Sequence, residues 1–236
     1  MQNTLVFTIA LNGYSQLFKN CIESQKKYCQ KFDYKYSIVK KTPPPLSNTD
    51  SAWLKLYLIR EALKMDFEWI AFIDADCQIR LHTPDFRQYV TNLNSKASIF
   101  MAQGFSGRIN SGVILIKNTS SALNFLNLVL DNRYKEIPAE DEALYENGHV
   151  IHYGKDNPYV EIIPNRLWNN NIEFNKESYI QHYSGGILRS HYLKKHRIKA
   201  LLHRYQKRFN FNNTDTVDWE NKRPEILNEI ITQNFS

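Results

Sequence analysis

The chain has few of the features that mark secreted, membrane-spanning or zinc-binding proteins. Its 236 residues include only three cysteines, an odd number without zinc-ligand spacing, which favours a reducing cytosol over a secreted disulfide fold. No segment approaches the ~20 consecutive apolar residues that a membrane span requires, and no basic region precedes the first apolar stretch as in a signal peptide. Internal repeats and low-complexity tracts are absent as well. We therefore expect a cytoplasmic protein with one large domain, with or without a small appendage.

Acidic residues are missing from one long basic segment. Residues 188–208 contain eight Lys or Arg and no Asp or Glu, whereas the net charge of the whole chain is only +6, so the remainder is mildly acidic. Apolar residues recur at helical spacing in this segment. Such a helix is typical of contact with an anionic membrane surface, but the solvated face of a packing helix fits equally well, and no motif favours nucleic-acid binding. The apolar positions are Ile198, Leu201, Leu202, Tyr205 and Phe209.

The strongest chemical signal is Asp74-Ala75-Asp76, which follows a short apolar run from Ile70 to Ile73. The run is uncharged, β-branched and aromatic, and it predicts a buried strand. Side chains at i and i+2 of a strand project to the same side, so both carboxylates would enter one small space at the carboxyl edge of the sheet. Two carboxylates so close repel each other unless a proton or a cation lies between them. A hard divalent cation such as Mg²⁺ or Mn²⁺ fits there, and such ions also bind phosphates.

The order of the apolar segments predicts an α/β fold with a largely parallel sheet. Ligands in open sheets of this type bind outside the carboxyl ends of the strands. A nucleotide would therefore lie between the end of the first strand and the Asp-x-Asp, with its diphosphate on the metal. We expect the last ~25 residues to form a tail or a peripheral helix. Strands are predicted over 5–10, 34–39, 70–73, 98–102 and 113–116, and helices over 15–31, 53–65, 120–130 and 140–146.

Three further polar segments follow the Asp-x-Asp. Asn110-Ser111-Gly112 comes directly before a β run, where small residues let a ligand approach the backbone. Asp141 lies in an acidic stretch that opens a predicted helix, and His182 precedes a glycine pair. Each segment also has an ordinary structural explanation, namely a turn before a strand, a carboxylate favoured by the helix dipole, and a structural histidine.

Taken in order, these segments resemble the motifs of GT-A-fold retaining glycosyltransferases. The resembling groups are the glycogenin-like enzymes, the bacterial lipooligosaccharide galactosyltransferases, and the galactosyl/xylosyl/mannosyl transferase family of plants and fungi. The resemblance extends over about residues 1–190. The matching segments are the helix 53–60, Asp74/Asp76, Asn110-Ser111-Gly112-Val113 with Ile116-Lys117-Asn118, Asp141-Glu142-Ala143, and His182-Tyr183-x-Gly185.

This resemblance implies a metal-dependent hexosyltransferase. It implies a GT-A-type nucleotide-sugar-binding domain over residues 1–187, with a mixed, mostly parallel sheet flanked by helices. Residues 188–236 would form a basic helical extension that could contact the inner face of the membrane. The enzyme would transfer a sugar from a UDP-hexose, or a GDP-sugar as second choice, to a glycan or a lipid-linked oligosaccharide. The anomeric configuration would be retained, and no nucleic acid would be bound.

The resemblance also implies a role for each matched residue. Asp74, Asp76 and His182 would bind the metal, and the nitrogen ligand favours Mn²⁺ over Mg²⁺. Asp141 and Asn110 would be catalytic, Asp141 by stabilising the positive charge of the anomeric carbon. The nucleotide sugar would contact Thr8, Ala10, Lys55, Asp74, Ala75, Ser111, Gly112, Gly185 and Arg189.

Two positions depart from the family pattern. The families place a Lys-Pro shortly after the last motif glycine, where this chain has Arg189 and no such pair, so Arg189 would supply the cation for the phosphate. Glu142 replaces the usual Gln after Asp141, which leaves the acceptor contacts at this position open.

Two other functions remain open. A haloacid-dehalogenase-type phosphatase also uses a hydrophobic strand followed by Asp-x-Asp, but on its first strand and with Thr or Val two residues later. This chain has the pair on about its third strand and Gln78 at that position. The second alternative is a non-catalytic module that binds a sugar nucleotide.

Overall fold

The computed structural model describes residues 3–210 and 218–235 and has a six-stranded sheet at its centre, with a two-stranded sheet beside it. The strands are β1 (Thr4–Ile9), β2 (Lys35–Val39), β3 (Trp69–Ile73), β4 (Cys77–Ile79), β5 (Ile99–Gln103), β6 (Ile109–Lys117), β7 (Val160–Ile163) and β8 (Ile180–His182). The helices are α1 (Tyr14–Leu17), α2 (Lys19–Lys31), α3 (Asn48–Ala62), α4 (Phe86–Thr91), α5 (Ser120–Asp131), α6 (Asn147–Gly154), α7 (Asn165–Trp168), α8 (Gly186–Lys195), α9 (Arg197–Asn210) and α10 (Trp219–Asn234), with a 3₁₀ turn at Ala139–Asp141.

Five of the six strands of the large sheet run in the same direction. The strand order is β2-β1-β3-β6-β5-β7, and β6 is antiparallel to both of its neighbours. β1 lies between β2 and β3, so the chain leaves β1 to one side and returns to the other. The predicted fold, a mixed and mostly parallel sheet flanked by helices, is confirmed.

Alternating side chains of the central strands build a core on each face of the sheet. Phe7 and Phe72 belong to the cluster that includes α3, α5 and α10, whereas Val6 and Ala71 belong to the cluster with α2 and α4. All five residues of β3 are buried, which is why this segment has no polar alternation in the sequence. Full burial of a side chain such as Phe72 stabilises the fold by roughly 1.5–3 kcal/mol.

Two predicted helices differ from the observed ones at their amino-terminal ends. The helix over 15–31 is divided into α1 and α2 at Phe18, whose φ of −101° lies outside the helical range. The helix over 53–65 begins earlier, because the Ser47 hydroxyl accepts a hydrogen bond from the Asp50 N–H and caps α3.

The prediction of a helix over 140–146 is wrong. Asp141 closes a short 3₁₀ turn, Glu142 has extended backbone, and α6 begins only at Asn147. Tyr145 has a φ of +58°, a left-handed conformation that ends any helical run. The acidic residues therefore belong to a connecting loop rather than to the first turn of a helix.

The strand predicted over 113–116 begins earlier, at Ile109. Asn110, Ser111 and Gly112 therefore lie inside β6 instead of in a turn before it. The ladder with β5 shifts at this point, because Met101 pairs with Ile114 while the next residue of β5 pairs with Asn110. This β-bulge takes residues 111–113 out of regular pairing with β5, while Val113 stays paired with Ile73 of β3.

The carboxyl-terminal part of the described chain is helical. α8 and α9 pack against α1 and α2 through Phe18, Tyr192 and Ala200. α10 lies where a tail or a peripheral helix was predicted, and it buries Trp219 and Ile230 in the cluster of β1 and α3. The division into residues 1–187 and 188–236 stays a prediction. Within the described ranges, every helix is too short or too polar to cross a bilayer.

Candidate active site

The carboxyl ends of β1 and β3 lie side by side. β1 pairs in parallel with β3, and Phe7 is opposite Phe72. Ala10 and Asp74 therefore leave the sheet at one edge, at the point where the strand order reverses. Ligands of open α/β sheets bind at such an edge.

Asp74 and Asp76 occupy a tight turn instead of two positions in one strand. β3 ends at Ile73, and the Cys77 N–H donates to the Asp74 carbonyl at 3.0 Å. The Asp74 N–H donates to the Gly112 carbonyl at 2.8 Å, which fixes the start of the turn on β6. The expectation that strand alternation aligns the two carboxylates is therefore wrong, although the turn brings them together.

The two-stranded sheet places His182 beside this turn. Cys77 of β4 is paired with His182 of β8. The imidazole Nε2 consequently lies 3.2 Å from Asp76 Oδ1 and 3.7 Å from Asp74 Oδ2. The other ring nitrogen, Nδ1, lies 2.7 Å from Asn169 Oδ1. The three residues that were predicted to bind a metal thus form one centre, made of Asp74, Asp76 and His182.

Lys55 approaches this centre from α3. Its ammonium group is buried and lies 2.7 Å from Glu146 Oε1 and 3.8 Å from Asp74 Oδ1. The Ser111 hydroxyl donates to the same Glu146 oxygen at 2.7 Å. Lys55 thus provides a buried positive charge next to Asp74, held in place by Glu146.

Arg189 approaches from α8. Its Nη1 donates to Asp76 Oδ2 at 2.6 Å, and its Nη2 donates to the Tyr14 hydroxyl at 2.9 Å. The guanidinium also lies over the Phe18 ring, 4.7 Å from its centroid. In this conformation Arg189 pairs with a carboxylate of the centre, and its contact with a phosphate stays a prediction.

Gly112 is the point where β6 passes closest to the centre. A Cβ at this position would lie 2.4 Å from His182 Cε1 and 2.9 Å from both Asp74 Oδ2 and Asn110 Oδ1. The absence of a side chain is thus what allows these three groups to meet here. The Gly112 N–H also donates to Asn110 Oδ1 at 3.1 Å.

The protonation of the centre follows from burial and from its neighbours. Burial raises the pKa of Asp74 to about 6, although Lys55 acts in the opposite direction. Burial would also raise the pKa of Asp76, but His182 and Arg189 hold it below its usual range. Burial would lower the pKa of His182, but Asp76 and Asp74 raise it. In the absence of a bound cation, a proton is therefore retained among these groups, as expected for closely spaced carboxylates.

Asp141 is buried and forms two contacts of its own. Its Oδ2 lies 2.7 Å from His152 Nδ1 and 2.7 Å from Lys155 Nζ. Hydrogen bonds from Lys155 and His152 hold the pKa of Asp141 below its usual range. Arg108 donates to the backbone carbonyls of the two flanking residues, Glu140 and Glu142, and thereby helps to hold this loop. The carboxylate is therefore ionised, and its role with a donor sugar stays a prediction.

The remaining residues that were predicted to contact the nucleotide sugar differ in which of their atoms a ligand could reach. Ala10 and Ala75 are buried in one small apolar cluster with Ile22, so only their backbone could contact a ligand. The Thr8 hydroxyl is buried and has no hydrogen-bond partner among the described residues. Gly185 has extended backbone before α8, and a Cβ there would meet open space.

Sequence reasoning missed two residues that hold the predicted ligands. Asn169 contacts His182, and Glu146 contacts both Lys55 and Ser111. Both are more than nine-tenths buried. A buried polar residue in a loop has no periodic signature, so no sequence pattern could have identified them.

Comparison with known sequences finds a family match for the first third of the chain. Residues 5–85 match the profile of the galactosyl transferase GMA12/MNN10 family. This stretch includes β1, α3 and the turn that carries Asp74 and Asp76. A search of curated proteins found no match.

Comparison with solved structures relates the whole fold to glycosyltransferases. A glycosyltransferase involved in the glycosylation of the major capsid of PBCV-1 has a TM-score of 0.63 at 15% identity, over 81% of this chain and 98% of its own. GlyE of Streptococcus pneumoniae has a TM-score of 0.54 at 14% identity, over 99% of this chain and 64% of its own. The galactosyltransferase LgtC, solved with donor and acceptor sugar analogs, has a TM-score of 0.50 at 10% identity, over 77% of this chain and 87% of its own.

At these identities the structural likeness establishes the fold alone. The resemblance that the motifs indicated is nevertheless confirmed by two independent comparisons, one of sequence and one of structure. The chain has the GT-A glycosyltransferase fold, and the match of residues 5–85 to a galactosyl transferase family indicates a hexosyltransferase.

Proposed function

We propose that the protein is a metal-dependent glycosyltransferase that uses a nucleotide-diphosphate sugar. The donor is a UDP-hexose by first choice, with a GDP-sugar as the second. The acceptor is a glycan or a lipid-linked oligosaccharide. The observation that supports this proposal most is the meeting of Asp74, Asp76 and His182 at the switch point of a GT-A-type sheet.

The donor atoms suit a divalent cation of the Mn²⁺ or Mg²⁺ type. Neighbouring ligands of an octahedral ion with bonds of about 2.1 Å lie about 3 Å apart, and His182 Nε2 is 3.2 Å and 3.7 Å from the two carboxylates. Asn169 binds Nδ1 and leaves Nε2 directed at the carboxylates, which is the usual outer support of a metal-binding histidine. Cys77 is also close, but burial raises the pKa of its thiol well above the usual value, so it would stay protonated and would not bind a hard ion.

The chemistry requires stabilisation of charge on both sides of the bond that breaks. When bound, the ion would stabilise the negative charge of the departing diphosphate. Lys55 adds a buried positive charge beside Asp74, and Arg189 could turn from Asp76 to a phosphate oxygen. The donor sugar develops positive charge at its anomeric carbon, and a nearby carboxylate stabilises it.

Asp141 and Asn110 are the proposed residues on the sugar side. Asp141 is ionised but paired with His152 and Lys155, so it would act on the sugar after one of these partners turns away. Asn110 has its carbonyl oxygen occupied by Gly112 and Asn169, which leaves its amide N–H groups for a sugar hydroxyl. We propose retention of the anomeric configuration, with family resemblance as its support.

We further propose that the basic segment 188–209, which lies in α8 and α9, contacts an anionic membrane surface. Ile198 is 76% exposed and Leu202 59% exposed, and the same helix α9 has no acidic residue and carries several Lys and Arg. Replacing Lys194, Lys195, Arg197 and Lys199 by Glu should abolish binding to anionic vesicles and leave donor hydrolysis unchanged. Vesicle binding that survives this change would contradict the proposal.

The donor site is tested by calorimetric titration of the protein with UDP and GDP, each with and without Mn²⁺. We expect one nucleotide to bind in a Mn²⁺-dependent manner, and the Asp76→Ala variant to lose this binding. Asp66→Ala, which removes an exposed carboxylate shortly before β3, is the matched control and should bind as the wild type does. Nucleotide binding that does not depend on Mn²⁺ or on Asp76 would contradict the proposal.

A further inference from the structure

Asn169 links two residues that lie on different elements of the centre. It directly follows α7 and is completely buried. Its Oδ1 lies 2.7 Å from His182 Nδ1, and its Nδ2 lies 2.8 Å from Asn110 Oδ1. One amide group therefore contacts a proposed metal ligand at one end and a proposed sugar-binding residue at the other.

The direction of each hydrogen bond follows from a backbone donor. The Gly112 N–H can only donate, so the Asn110 atom it contacts is the carbonyl oxygen. That oxygen requires the NH₂ group of Asn169 to face it, which turns the Asn169 carbonyl oxygen toward His182. This carbonyl oxygen can only accept, so His182 Nδ1 carries a proton. Nε2 is therefore the ring nitrogen that faces the two carboxylates, and it would offer its lone pair to a cation bound there.

The backbone around Asn169 is held on both sides. Its N–H donates to the Asn165 carbonyl at 3.0 Å, and the Asn165 side chain donates to the Asn169 carbonyl at 2.9 Å. The next residue, Asn170, donates its N–H to Ile180 and accepts from the His182 N–H, so it joins this loop to β8. The Asn169 amide is thus fixed relative to His182 by main-chain bonds and not only by its own side chain.

We propose that Asn169 is a positioning residue that sets the tautomer of His182 and the direction of the Asn110 amide at the same time. Its carbonyl oxygen keeps the proton on Nδ1 and leaves Nε2 for the cation. Its NH₂ group keeps the Asn110 carbonyl oxygen occupied and leaves the Asn110 N–H groups for the donor sugar. The metal subsite and the sugar subsite are therefore oriented by one side chain. This inference rests on the proposed function.

Two substitutions separate the two contacts. Asn169→Leu has a similar shape and removes both of them. Asn169→Asp keeps an oxygen acceptor for His182 but places a second oxygen against Asn110 Oδ1. Asn170→Ala is the control, because Asn170 is equally buried but its side chain bonds Ser178 and the backbone of the same loop.

Mn²⁺ affinity is measured from the electron paramagnetic resonance signal of the free ion, without any donor present. We expect Asn169→Leu to bind Mn²⁺ roughly 10- to 100-fold more weakly than the wild type, the usual effect of removing an outer partner of a metal ligand. Asn169→Asp should bind Mn²⁺ as the wild type does, but its kcat should fall about tenfold or more while its KM for the metal stays unchanged. Asn170→Ala should keep both values. Equal Mn²⁺ affinities in wild type and Asn169→Leu, or an unchanged kcat in Asn169→Asp, would overturn the inference.

A second readout needs neither metal nor turnover. In the metal-free protein with ¹⁵N-labelled histidine, the Nδ1 proton of His182 should be slow to exchange in the wild type and fast in Asn169→Leu, with the signal assigned through His182→Gln. An unchanged Nδ1 signal in Asn169→Leu would overturn the inference even if the variant is less stable. If the wild type bound no Mn²⁺, the proposed function would fail, whereas the histidine spectra would still decide the role of Asn169.

Discussion

Gly112→Ala is the substitution that the geometry of the centre forbids most clearly. The added Cβ would lie 2.4 Å from His182 Cε1, about 1 Å closer than an ordinary carbon contact. His182 cannot move away easily, because it is only 2% exposed and is held by Asn169. Overpacking of this kind costs roughly 1–3 kcal/mol in free energy of unfolding, which corresponds to a fall in Tm of roughly 2–12 °C for a chain of this size. Since the displaced ring is a proposed metal ligand, Mn²⁺ affinity should fall about 10- to 100-fold as well.

The assay combines urea unfolding with titration of Mn²⁺. Gly154→Ala is the matched control, because a Cβ there would lie 3.1 Å from the terminal Cδ1 of Ile109, a flexible methyl, and 3.8 Å from Phe125. It should change the free energy of unfolding by less than about 1 kcal/mol and leave Mn²⁺ binding intact. If Gly112→Ala bound Mn²⁺ with wild-type affinity and unfolded at the wild-type urea midpoint, the described packing around His182 would be wrong.

Three further predictions concern groups outside this contact. Burial would raise the pKa of Asp85, but the Arg87 side chain holds this pKa below its usual range, so Asp85→Asn should lower the free energy of unfolding above about pH 4. The difference in unfolding free energy between the variant and the wild type should shrink as the pH falls through the native pKa of Asp85. A difference that stays constant from pH 7 to pH 3 in urea unfolding would refute this prediction. Lys55→Gln removes the ammonium group that lies 2.7 Å from the buried Glu146 carboxylate, and it should lower the free energy of unfolding by roughly 3–5 kcal/mol. The double variant Lys55→Met/Glu146→Leu should recover most of this stability but not the donor turnover. A double variant as unstable as Lys55→Gln would refute this prediction. Ile230→Ala in α10 should cost roughly 2–5 kcal/mol in the main unfolding transition, and a separate early transition would show that α10 is independent of the core.

Much of the fold could be predicted because the central strands are marked by their composition. β3 is buried on both faces, so its sequence is a continuous apolar run, and the alternation of such runs with helical segments specified a mostly parallel sheet. Element ends were predicted less well because they depend on single contacts. The Ser47 cap extended α3, and the left-handed Tyr145 ended the helix expected over 140–146.

Part of the candidate site could be predicted because its residues adjoin sheet strands. Asp74 and Asp76 follow β3, and His182 ends β8, so the strand pairing that brings Cys77 to His182 also assembles the three side chains. The supporting residues could not be predicted. Asn169 and Glu146 lie in loops far along the chain, and only the three-dimensional packing shows which groups they contact.

The most direct test of the central claim is pulsed electron paramagnetic resonance of Mn²⁺ bound together with UDP. If Asp74, Asp76 and His182 hold the ion, the echo will be modulated by a directly bound histidine nitrogen, and this modulation will disappear in His182→Gln. A spectrum without histidine nitrogen in the wild type, or one that His182→Gln leaves unchanged, would contradict the assignment of this centre as the metal and donor site.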